Sequence, residues 1–203
     1  MSQWDKLADK QTVEKTIEAL KQNGIDGVFV ENGGEAKEKV LSLVPKGAEV
    51  MTQTSVTLET IGLAQELNSE QFNSVRNILN TMDRATQGRE MQRLGAAPEY
   101  TVGSVHAVTL DGKALIASNS GSQLPAYVYG ADHVIWVVGV QKIVTNQEEA
   151  MKRIYEYVLP LESERAKKAY GMPGSNVSKL LIVSKEIRPG RITIVFVNEK
   201  LGF

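Results

Sequence analysis

An open α/β sheet of mixed direction, flanked by helices, is the fold class this sequence predicts, and three observations lead to it. Amphipathic helical stretches alternate with short β-branched strands through the first half of the chain. Strands dominate much of the second half. The segment from His133 to Val138 is almost continuously apolar, as a strand covered on both faces should be.

Taken in order, Trp4 to Leu20 places apolar residues at Leu7, Val13, Ile17 and Leu20 with charges between them, and Asn23-Gly24 ends the pattern. This predicts a helix within an N-terminal helical segment of about residues 1–24. Gly27 to Val30 reads as a strand, Gly34 to Leu43 as a helix closed by Pro45, and Glu49 to Thr52 as the next strand. A helix is expected from Ser55 to Leu67. From Asn68 to Ala97 the pattern is polar and mostly helical, with Val75, Ile78, Leu79, Met82, Met91 and Leu94 as its apolar positions. Strands follow at Tyr100 to Val102, Val105 to Leu110 and Ala114 to Ala117, the last two joined by an Asp111-Gly112 turn in which glycine supplies positive φ. A short helix near Leu124 to Tyr129 precedes the apolar strand. Helices are then predicted over Gln147 to Val158 and Leu161 to Ala169. A Gly/Pro loop covers residues 171–175, and strands run from Leu180 to Val183 and Arg191 to Val197.

With 203 residues the chain is long enough for one sizeable core, so a single domain over 1–203 is expected. A net charge of −1 without a long basic run argues against nucleic acid as a partner. There is no cysteine, which removes disulfides, thiolate catalysis and protein-ligated iron–sulfur clusters. No apolar run approaches the ~20 residues of a membrane helix, and the N-terminus lacks a signal-peptide core, so no membrane contact and a cytoplasmic location are expected. No metal site is expected from two isolated histidines, and no nucleotide loop motif occurs.

The candidate binding residues lie where strands end. Ser118, Asn119, Ser120, Gly121, Ser122 and Gln123 follow an apolar strand and offer hydroxyls, amides and a glycine that admits close backbone approach. The same residues also make ordinary turns. Thr54, Ser55 and Thr57 join a strand to a helix, where hydroxyls and free N–H groups hold anions or simply cap the helix. Ser104, Gln141 and Lys142 also lie at or beyond strand ends, and Lys142 reads either as an anion partner or as a solvated surface charge. Catalytic acid or base candidates are Glu99, His106 and Glu199, although His106 reads more readily as a buried histidine satisfied by one hydrogen bond than as a base.

Together, Gly103 to Gly112, the Ser118 to Gln123 cluster, Val137 to Val144 and the closing Val197 to Phe203 resemble the LUD-domain family of lactate-utilization proteins over essentially the full length. The resemblance implies a cytoplasmic α/β domain similar to the ribose-5-phosphate isomerase, glucosamine-phosphate deaminase and CoA-transferase group. It also implies a link to L-lactate oxidation beside a partner subunit carrying iron–sulfur clusters. Many short members have a cysteine-rich stretch before the last strands; here residues 170–177 contain none, so that redox role has no ligands.

The expectation is therefore a domain that binds a small anionic metabolite as a non-redox component of lactate or hydroxy-acid utilization, with no cofactor of its own. Whether it forms a homo-oligomer is left open. Two alternatives stand beside it. One is a transferase or isomerase acting on a sugar phosphate, acyl-CoA or folate-like substrate; the other is a regulatory or scaffolding subunit.

Overall fold

The computed structural model describes residues 2–203, and its strands form two sheets rather than one. The larger holds β1 (Asp26–Val30), β2 (Glu49–Thr52), β3 (Asn73–Ser74), β4 (Tyr100–Gly103), β7 (His133–Gly139) and β10 (Ile192–Val197), in the order β1-β10-β7-β4-β2-β3. Every pairing in it is parallel. The mixed direction resides in the smaller sheet, ordered β8-β5-β6-β9, from β5 (Ala107–Thr109), β6 (Ala114–Ser118), β8 (Ile143–Val144) and β9 (Lys179–Val183). There β6 runs antiparallel to both β5 and β9, while β8 is parallel to β5.

Parallel strands need covered faces, and helices cover them. On one side Val13 and Leu20 of α1 (Lys10–Gln22) join Val134, Trp136 and Val138 of β7 and Ile194 and Phe196 of β10 in one core. On the other, Ala36 and Val40 of α2 (Gly33–Leu43) meet Ile135, Val137, Val195 and Val197. The alternating residues of β7 thus enter opposite cores, which is why its sequence is apolar throughout. Helix α1 begins later than its pattern suggested because Asp9 caps it, its side chain accepting from the Thr12 N–H at 2.8 Å. Trp4 falls instead in a separate short turn, Gln3–Asp5.

The expected helix from Ser55 to Leu67 is two short ones, α3 (Val56–Thr60) and α4 (Leu63–Leu67), parted by Gly62 in the left-handed region. The polar stretch that follows contains strand β3, then α5 (Val75–Thr81) and α6 (Arg84–Ala96). The turn between β5 and β6 has positive φ at Gly112 alone, with no such value at Asp111. This is a longer loop closed by one left-handed glycine, not a two-residue turn needing two such residues.

A five-residue π-helical turn, Ala126–Gly130, replaces the expected helix ahead of β7. The two helices expected after residue 147 are one continuous helical rod: α7 (Gln147–Arg153), a π-helical turn over Ile154–Val158, and α8 (Leu159–Tyr170). Pro160, which offers no N–H, follows closely on the π-helical turn, where the hydrogen-bond ladder is already shifted, and the rod runs through it.

Candidate functional site

The parallel strands β2, β4 and β7 end on the same side of the larger sheet, the side where open α/β sheets form ligand crevices. A cleft of about 1430 Å³ opens there. Strand β2 runs into Thr54, Ser55 and Thr57, strand β4 into Ser104 and His106, strand β6 into Ser118 to Gln123, and strand β7 into Lys142; all of these residues line the cleft. Helix α6 and the rod from Ile154 to Tyr170 also contribute lining residues, as do residues 175–177 and Gly202-Phe203.

Lys142 is the deepest charge in this cleft, 2% exposed. Its Nζ donates to Thr57 Oγ1 at 3.2 Å, Ser104 Oγ at 3.1 Å and the Val105 carbonyl at 3.2 Å. Both hydroxyls give their own protons to carbonyls, Thr57 to Leu201 and Ser104 to Val137, so both act as acceptors toward the lysine. Three acceptors around one nitrogen suit an ammonium. Burial, reinforced by the charge of Arg153, pushes its pKa well below the ordinary lysine value. Among the described residues no carboxylate forms a salt bridge with it.

His106 also lines the cleft. Its Nδ1 accepts the Ala117 backbone N–H at 3.0 Å, which places the ring proton on Nε2. Burial, with the charges of Lys142 and Arg153, pushes its pKa down to about 3. The ring is therefore neutral near pH 7, with its basic nitrogen already engaged, and suits hydrogen-bond donation from Nε2 better than proton abstraction.

The serine-rich loop is largely organised by itself. Ser118 Oγ donates to Gln123 Oε1 at 2.9 Å and accepts from the Gly121 N–H at 2.8 Å, while Asn119 Oδ1 accepts from Ser178 Oγ at 3.2 Å. Ser120 and Ser122 are hydrogen-bonded to each other through their hydroxyls. Ser55 occupies the cap position of α3 yet makes no side-chain capping bond. Because α3 is only five residues long, its dipole is far weaker than that of the expected thirteen-residue helix. Any anion affinity at this junction rests on hydroxyls and side-chain charge.

Three residues singled out from sequence are not among those lining the cleft. Glu99 Oε2 accepts the Glu49 N–H at 3.3 Å, Glu199 Oε2 accepts the Gly33 N–H at the start of α2 at 3.2 Å, and Gln141 Nε2 donates to the Leu201 carbonyl at 2.9 Å. Glu199 does not orient Lys142, whose Nζ contacts are hydroxyls and a carbonyl. Gln141 and Thr57 both bond Leu201, so they fasten the closing segment beneath the cleft. Gly202 turns there with φ of +62°, and a Cβ in its place would stand 2.5 Å from Thr57 Oγ1.

The sequence reading missed the arginines. Arg76, Arg84, Arg89, Arg93 and Arg165 line the cleft with Lys142, against one acidic side chain, Glu162. Arg165 is held bidentately by Glu162 at 2.7 Å per contact, and Arg76 donates twice to the Thr52 carbonyl. A chain of net charge −1 thus gathers excess positive charge on one concave surface. The signal available in sequence was the run Arg84, Arg89 and Arg93 on a helix with few apolar positions.

The LUD domain family model matches residues 13–197. The chain belongs to the LUD domain family. A DUF162 family protein from Deinococcus radiodurans has a crystal structure similar to this chain, with a TM-score of 0.56 at 11% identity, covering 95% of this chain and 99% of that one. At that identity the likeness speaks for the fold. A search of curated proteins found no match. No helix among the described residues of this LUD-domain chain is long and apolar enough to cross a membrane.

Proposed function

We propose that this LUD-domain protein binds a small anionic metabolite in the cleft and serves lactate or related hydroxy-acid utilization as a non-redox component. The observation that carries the reading is Lys142, a buried amine with no carboxylate partner among the described residues, in a cleft with six basic side chains and one acidic one. Burial without a counter-charge disfavours its ammonium form, and an incoming anion would supply that counter-charge. The hydroxyls of Thr54 and Ser55, the loop from Ser118 to Gln123 and the Nε2–H of His106 supply neutral donors around it. The hydroxy-acid setting rests on the family.

Binding is favoured over acid–base turnover by the isolated chain. Glu99 and Glu199 are not cleft residues, His106 is held neutral, and Glu162 is tied to Arg165. A partner subunit carrying redox cofactors fits this reading, since the chain has no thiol to hold a cluster.

Thermal unfolding of the full chain with L-lactate, pyruvate or inorganic phosphate tests the proposal. An anion at 100 times its dissociation constant is expected to add about 2.7 kcal/mol. Lys142→Met is expected to fold, because methionine fills the space without a buried charge, and to lose most of that response. No stabilisation by any anion, or an undiminished response in the variant, overturns it.

A further inference from the structure

We propose that residues 171–178 form a lid that rests against the rod in this structure and folds over an anion bound in the cleft. This rests on the anion-binding reading above and adds how the same site is enclosed. The segment leaves α8 at Tyr170 and enters β9 at Lys179, which pairs with Ser118 at the start of the serine-rich loop. It therefore crosses from the rod to the strand-end wall, and Met172, Ser175, Asn176 and Val177 line the cleft between them. Few bonds hold it. From Met172 to Ser178 two hydrogen bonds form among the described residues: the Ser175 N–H donates to Ser163 Oγ at 3.1 Å, and Ser178 Oγ donates to Asn119 Oδ1 at 3.2 Å. A segment so sparsely bonded opens at low cost.

Both ends are anchored and the middle is not. Gly171 closes α8 with φ of +64°, its N–H donating to the Lys167 carbonyl at 3.0 Å, and a Cβ built on it meets nothing within 4 Å. Glycine there serves the left-handed turn, a conformation on which the chain pivots freely. At the far end Val177 packs against the core of Ala107, Leu115 and Ile154. Between these points the segment leans on Ser163, a residue of α8 that does not line the cleft, so that one bond holds Gly174 and Ser175 back against the rod. An anion offers these groups a stronger acceptor. The N–H groups of Gly174 and Asn176, the Ser175 hydroxyl and the Asn176 amide have no acceptor among the described residues, and bonds to a charged acceptor are roughly twice as strong as neutral ones. Closure also removes water from around Lys142 and strengthens its attraction for the anion.

The chain has no cysteine, and a Cβ at Gly174 would stand 3.6 Å from that of Ser163, within the spacing a disulfide spans. The double variant Ser163→Cys/Gly174→Cys, once oxidised, therefore pins the segment in its resting place and leaves every cleft-lining side chain intact. The test is calorimetric titration of the full chain with L-lactate, pyruvate and inorganic phosphate, in wild type and in the oxidised and reduced variant. The anion that binds wild type is expected to bind the reduced variant at least as tightly and the oxidised variant roughly tenfold more weakly, because the closed state is then out of reach. Hydrogen exchange of the wild-type amides across residues 172–178 is expected to slow about tenfold when that anion is bound. Equal or tighter binding by the oxidised variant, or wild-type exchange unchanged by the bound anion, overturns the lid while anion binding stands. A wild-type chain that binds none of the three anions overturns both.

Discussion

His106 illustrates how one backbone hydrogen bond decides the chemistry a side chain can offer. With Nδ1 accepting from Ala117 and two cations nearby, protonation is resisted in the folded chain, whereas an unfolded histidine titrates near 6.5. The folded state therefore binds this proton less readily. Its contribution to stability is full above about pH 6.5 and is lost as pH falls toward about 3. Urea unfolding between pH 7 and pH 4 should show the decline, with His106 contributing at most about 1.4 kcal/mol per pH unit. His106→Asn should flatten that part of the profile, and an unchanged slope in the variant would show that other groups govern it. Between pH 8 and pH 6 the ring itself therefore adds no charge to the cleft.

At the scale of elements, the closing segment is where local geometry and the cleft meet. Gly202→Ala imposes an unfavourable φ and a clash with Thr57, so a loss of about 1–3 kcal/mol is expected in equilibrium unfolding. Thr57→Val removes an acceptor from Lys142 and the donor to Leu201, and should cost about 1–3 kcal/mol by the same measurement. Most elements were legible because their signals are local. The apolar run of β7, the Asp111-Gly112 turn and the strand at Glu49 to Thr52 need no distant partner to be recognised. The separation into two sheets was not legible, since β5 pairs with β8 across more than thirty intervening residues and nothing local specifies that partner. The two helices read on either side of residues 159–160 are one rod, because whether a proline interrupts a helix depends on the winding around it. The site followed the same division. Strand-end positions such as Ser104, Ser118 and Lys142 could be marked from the pattern, whereas the arginines of α6 became a cleft wall only through tertiary placement.

Over the whole molecule, the near-neutral net charge conceals an uneven distribution, and association with an anion should depend on ionic strength more than net charge implies. Raising salt from 0.05 to 0.5 M should weaken binding severalfold, mainly through the exposed arginines, while the contribution of buried Lys142 is screened less. A titration series at several salt concentrations, on wild type and Lys142→Met, separates the two. The wall facing those arginines depends on the π-helical turn over Ile154–Val158. Such a turn accommodates one residue more than a regular helical repeat. Removing one residue there, for instance Tyr155, would restore regular winding, and because the wide turn already absorbs the extra residue the helix downstream would keep its facing. Glu162, Arg165 and Tyr170 would then still border the ligand space, whereas the same deletion at Leu161, in the regular helix ahead of them, would swing all three away by roughly 100°.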